Sequence, residues 1–155
     1  MRVRLLMLAA VVLATALVVP SARAATPVVA NGGGIGTIDG GTPFSHFGFA
    51  VTFRGGTVQG QFNCLMAGNA AFAGFEPLMK VSGTATGGTV DPAVGTAEFS
   101  GSGTLNLGPS GRMPAQFVVR VREGGAGVGK LQLTVIVPPF PVPEETVLSG
   151  QISIH

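Results

Sequence analysis

From residue 44 to residue 54 the chain alternates, with Phe47, Phe49, Val51 and Phe53 at odd positions and His46, Gly48, Ala50, Thr52 and Arg54 at even ones. A period of two over so long a run fits a strand buried on one face, because successive side chains of a strand point to opposite sides. Gly55-Gly56 follows at once, and then a second alternating run sets Val58, Gly60, Phe62, Cys64 and Met66 against Thr57, Gln59, Gln61 and Asn63. A two-residue Gly-Gly link supplies the positive φ angles of a type I′ turn, so the pair reads as a β-hairpin.

The same period recurs downstream. Ala97, Phe99, Gly101, Gly103, Leu105 and Leu107 face one way and Glu98, Ser100, Ser102, Thr104 and Asn106 the other. The glycines at 101 and 103 predict a bend or bulge. Phe117, Val119 and Val121 alternate with Gln116, Arg120 and Arg122; the glycine-rich stretch 123–129 then reads as a longer, mobile loop leading to Leu131, Leu133, Val135 and Val137. Residues 138–143 (Pro-Pro-Phe-Pro-Val-Pro) lack the N–H donors of a central strand and predict an extended surface connection. A last strand has Leu148, Ile152 and Ile154 inward and Gln151, Ser153 and His155 outward, tying the C-terminus into the sheet.

Weaker strand signals cover residues 34–39 and 78–82, and two glycines weaken a helical turn within 66–76. The glycine pairs at 40–41, 55–56, 87–88 and 124–125 keep no fixed period, which argues against a repeat protein. Strands joined by short turns with no helical crossover predict an all-β fold, an antiparallel β-sandwich or partly closed β-barrel of about seven to nine strands.

Residues 1–24 open on Arg2 and Arg4, continue as an apolar run from Leu5 to Val19, and end Ala22-Arg23-Ala24. This is the pattern of a signal peptide cleaved after Ala24, with an apolar run short of the roughly 20 residues that span a bilayer. The expected organisation is therefore residues 1–24 as signal and residues 25–155 as one Gly-rich β-domain, secreted and without a membrane span. Arg2, Arg4 and Arg23 leave with the signal, so six cations remain against seven acids. Those six, Arg54, Lys80, Arg112, Arg120, Arg122 and Lys130, are scattered along the sequence and form no stripe to follow a run of phosphates, which argues against nucleic acid.

The lone Cys64 excludes an intramolecular disulfide, and its place on the apolar face predicts a buried free thiol. His46 and His155 stand apart, and Asp39, Asp91, Glu98 and Glu123 belong to different segments, so no metal loop and no cofactor is predicted. No nucleophile motif surrounds any serine. A hydrolase would have to assemble His46 with Ser45 or Cys64 and a carboxylate such as Asp39. The glycine runs at 32–36 and 124–127 are not followed by a helix or by Gly-Lys-Ser/Thr, and read as turns rather than phosphate loops. Trp and Tyr are absent, which argues against the stacking platforms of sugar-binding faces. Of the ten phenylalanines, Phe72, Phe75 and Phe140 lie outside the alternating runs and form the candidate contact patch.

Four stretches carry a family resemblance: Ala30-Asn31-Gly32-Gly33-Gly34, Phe47-Gly48-Phe49, the run Phe99-Ser100-Gly101-Ser102-Gly103-Thr104-Leu105, and the closing residues 148–155. In this order they resemble the post-COAP-1 domain of secreted bacterial proteins. The resemblance implies an extracellular β-domain, often an accessory part of larger surface proteins, with no catalytic residues to carry over. That family has an aspartate-rich turn before its final hairpin; Arg122-Glu123-Gly124-Gly125 stands here instead, which counts against an ion-linked role for the turn.

Together these readings predict a secreted, non-enzymatic β-domain, a binding or structural module that meets an envelope component, an extracellular protein or a polysaccharide. Two alternatives make different structural demands. A carrier of a small apolar ligand needs an unfilled interior, and a hydrolase needs an assembled polar triad.

Overall fold

The structure, a computed structural model, describes residues 25–67 and 78–155. Residues 1–24, expected as a signal peptide, and Phe72 and Phe75 of the candidate patch lie outside the described residues.

Among the described residues, nine strands form one antiparallel sheet: β1 (Val28–Thr37), β2 (Ser45–Arg54), β3 (Thr57–Leu65), β4 (Lys80–Asp91), β5 (Thr96–Asn106), β6 (Arg112–Arg122), β7 (Lys130–Val137), β8 (Phe140–Pro141) and β9 (Glu145–Ile154). Strands β1 to β7 pair in sequence order, β9 pairs with β1, and β7 meets both β6 and β9, so hydrogen bonding runs full circle. The all-β antiparallel expectation holds, and the circuit leaves each of the eight long strands with a neighbour on both sides, which removes open edges. Gly55 and Gly56 adopt φ of 53° and 84°, the positive values their hairpin requires.

Direct strand pairing between β7 and β9 is short, only Lys130 with Thr146 and Leu131 with Glu145. The 123–129 segment extends it. Gly124 and Ile152 exchange both backbone hydrogen bonds at 3.0 Å, Gly127 N–H donates to Val147 O at 2.8 Å, and Val147 N–H donates to Gly129 O at 2.9 Å. The mobile loop expected there is instead a stitch that closes the ring. Gly129 is needed for it, since a Cβ at that position would stand 2.5 Å from Gly124 O and 2.7 Å from Val147 Cγ2.

The interior is filled by aromatic rings. Phe47, Phe49, Phe53, Phe62, Phe99 and Phe117 are all buried, and centroid separations of 5.4 Å for Phe49–Phe99, 5.9 Å for Phe62–Phe99 and 5.3 Å for Phe62–Phe117 link them through the centre. These are the spacings of favourable aromatic pairs. Glycines opposite them make the room. The 32–36 run, expected as a turn, lies inside β1, where Gly32, Gly34 and Gly36 pair with the buried Phe49, Phe47 and Ser45 and so face inward. A Cβ on Gly32 would meet Phe49 Cε1 at 2.9 Å and Ile152 Cγ1 at 3.0 Å.

Besides a bulge in β4, where Thr86 has no partner opposite Ser100 and Gly101, two bulges reset the alternation. Between β1 and β9 the register slips so that Leu148 has no partner, and inward-facing residues change from Ile152 and Ile154 on one side to Glu145 and Val147 on the other. Leu148, expected inward, is half-buried and Val147 takes the core position. A second slip opposite Gln116 and Phe117 leaves Ile136 extra in β7 and turns Val137, also expected inward, out to solvent. Phe140 and Pro141 of the proline-rich connection add the short β8 to the side of β7, and Val142 is fully buried. At the C-terminus, His155 and Val29 exchange backbone hydrogen bonds of 2.6 and 3.0 Å.

Truncating Phe49 removes the ring that links Phe47 to Phe99. Phe49→Ala is expected to lower unfolding stability by about 3–5 kcal/mol in denaturant melts. An unchanged midpoint would mean that the inward and outward faces of β2 are the reverse of those described.

Candidate functional site

Two polar arrangements stand out, one inside the ring and one on its wall. Inside, the bulge at Leu148 turns Glu145 into the core, where it is 1 % exposed. Ser45, equally buried at the start of β2, donates its hydroxyl hydrogen bond to Glu145 Oε2, while Oε1 has no hydrogen-bond partner. Gly36 makes the cradle: a Cβ there would collide with the same Oε2. Cys64 is fully buried beside this pair. Burial, and secondarily the nearby Glu145 charge, push its thiol far above the usual range, against a weaker opposing hydrogen bond from Ser45. A thiol held protonated is a poor nucleophile.

Burial likewise lifts the Glu145 carboxyl from its usual 4.5 to about 7, with the Ser45 hydrogen bond pulling the other way. Sequence reading overlooked this residue. Glu144-Glu145 after a proline run looks like a solvated turn, and the phase-flipping bulge that buries Glu145 comes three residues later.

Of the residues considered for a hydrolase, Ser45 and Cys64 meet inside the ring, but His46 and Asp39 do not join them. His46 is exposed on the outer face of β2, whereas its neighbour Ser45 points inward, as adjacent strand residues must. Asp39 caps the β1–β2 turn, accepting hydrogen bonds from Gly41 N–H at 2.9 Å, Thr42 N–H at 2.7 Å and the Thr37 hydroxyl at 2.8 Å. Those bonds, the backbone ones foremost, hold its carboxyl well below the ordinary range. Of the candidate contact patch, Phe140 pairs with Val135 through its backbone, and Phe72 and Phe75 fall outside the described residues.

On the wall, a groove of about 440 Å³ crosses β4, β5, β6 and the start of β7. Pairing aligns Asp91, Thr96, Arg122, Lys130 and Thr146 in one row across five strands, with Thr89, Glu98 and Arg120 in the next. Arg120 Nε donates to Glu98 Oε2 at 2.5 Å, and Glu144 adds a third carboxylate to the lining. The six cations of residues 25–155 are scattered in sequence, yet Arg120, Arg122 and Lys130 share this groove. The alternation of β5 and β6 already marked Glu98, Arg120 and Arg122 as outward; only the pairing of β7 with β6 and with β9 adds Lys130 and Glu144.

No family model, curated protein or solved structure matches the chain.

The buried carboxyl predicts a pH dependence of stability. Between about pH 4.5 and 7 the folded chain holds a proton on Glu145 that the unfolded chain has lost, so stability falls as pH rises through that window and levels off above it. The loss at this site should total roughly 3 kcal/mol. Urea melts near pH 5 and near pH 8 should show the drop in the wild type and a much smaller one in Glu145→Gln. Equal stability of the wild type at both pH values would place the Glu145 carboxyl in water.

Proposed function

We propose that the chain is a secreted, non-enzymatic binding module that meets a component of the cell envelope or extracellular space through the charged groove on its outer wall. One observation carries this reading: half of the cations of the exported chain gather in a single groove, with three carboxylates beside them. The aromatic rings packed through the centre favour a contact on the outside over an apolar ligand carried within. Ser45 and Cys64 face inward and His46 outward, which supports a module without catalysis. The post-COAP-1 resemblance, an extracellular accessory domain, agrees.

Retention of the purified protein on envelope, secreted-polysaccharide and secreted-protein fractions of the producing cell tests the reading. Retention on one fraction is expected, abolished or sharply reduced in Arg122→Gln/Lys130→Gln and kept in Phe72→Ala/Phe75→Ala. The opposite pattern would move the contact to the phenylalanine patch, and failure to bind any fraction would argue against a binding module.

A further inference from the structure

We propose that Arg122 and Lys130 hold the carboxylate of an acidic sugar, so that the groove takes a uronate-bearing polysaccharide; this rests on the groove being the contact face. The two cations occupy directly opposed positions on β6 and β7. Like charges in such positions repel and cost stability unless something neutralises them. Neither has a carboxylate partner, since Arg120–Glu98 is the sole ion pair among the described residues. Their bonds to the protein are few. Arg122 reaches the Val128 carbonyl at 3.5 Å, and Lys130 Nζ donates to Thr146 Oγ1 at 2.6 Å. A guanidinium carries five N–H donors and an ammonium three, so most remain for an oxyanion lying between them, in the charge-assisted geometry that Arg forms with carboxylates.

The rest of the lining narrows the ligand. Asp91, Glu98 and Glu144 share the groove, and three carboxylates would repel a chain as densely charged as nucleic acid, whereas an acidic peptide lacks the hydroxyls that the rest of the lining could meet. The same carboxylates accept hydrogen bonds from hydroxyl groups, and the Thr89 and Thr96 hydroxyls both donate and accept. A ligand that joins one carboxylate to several hydroxyls satisfies both halves of the lining, and an acidic sugar unit has that chemistry. Among the described residues no aromatic ring lines the groove, so such a sugar is held through its carboxylate and hydroxyls rather than by stacking. The groove, at about 440 Å³, falls in the size range of small-ligand sites.

Calorimetric titration of the purified protein, processed as the cell leaves it, with an alginate-derived oligouronate tests the site. A neutral gluco-oligosaccharide of equal length and oligo-glutamate serve as comparisons. Saturable, salt-weakened binding of the oligouronate is expected, with none of the neutral oligomer and weaker binding of oligo-glutamate. Arg122→Gln/Lys130→Gln should reduce oligouronate affinity at least about tenfold while its melting temperature stays level or rises, because the cross-strand repulsion is relieved. Oligo-glutamate bound as tightly as the oligouronate would overturn the sugar assignment in favour of an acidic peptide. Absent oligouronate binding, or binding unaffected by the double substitution, would overturn the site. Retention on an envelope fraction by both wild type and double variant would leave the binding module standing and remove this groove from it.

Discussion

The inward face of β1 carries Ala30, Gly32, Gly34 and Gly36, almost no side chain at all, and the interior is arranged around that vacancy. Phe49 and Ile152 crowd the space over Gly32, and the Glu145 carboxyl lies against Gly36. Across the ring, Gly60, Gly83, Gly101 and Gly103 stand so close to the neighbouring backbone that a Cβ on any of them would collide with a carbonyl oxygen. Small residues interleaved with large rings on the same and neighbouring strands let a narrow ring of strands be filled. A glycine costs more conformational entropy on folding than any other residue, and burial of the phenylalanine rings offsets that cost.

The same glycines explain what the sequence could and could not reveal. Alternation is visible only where side chains mark the two faces, so β2, β3, β5 and β6 could be read from Phe47 to Val121 with their inward residues correctly placed. Where the inward positions are glycine the mark disappears. The 32–36 run looked like a turn, and the 123–129 run looked like a mobile loop, although one is strand interior and the other closes the ring. Bulges impose a second limit, since one unpaired residue reverses the pattern and moves Glu145 from an apparent turn into the core. The groove was half legible. Glu98, Arg120 and Arg122 were assigned outward from local pattern, but Lys130 and Glu144 join them only through ring closure.

Charge placement then follows a consistent division. Inside, the Glu145 carboxyl is held near Ser45 with its proton retained up to about pH 7, a cost tolerated at a place where β9 begins and the direct β7–β9 pairing is short. Outside, a wall without open edges can still present a patterned row of side chains, because five strands bring five residues into line. A ring of strands packed with phenylalanine is a rigid support for such a row. On this account the fold contributes stiffness and closure, and recognition belongs to the outward residues of β4 to β7.

Chemical-shift mapping of the isotope-labelled protein, titrated with the envelope or secreted fraction that retains it, tests whether contact is made on the wall or within the ring. Shifts confined to the backbone amides and side chains of Thr96, Glu98, Arg120, Arg122 and Lys130, with the rings of Phe62, Phe99 and Phe117 unmoved, are the predicted result. Shifts led by those three rings, with the groove unmoved, would show that the interior takes the ligand and would contradict the account.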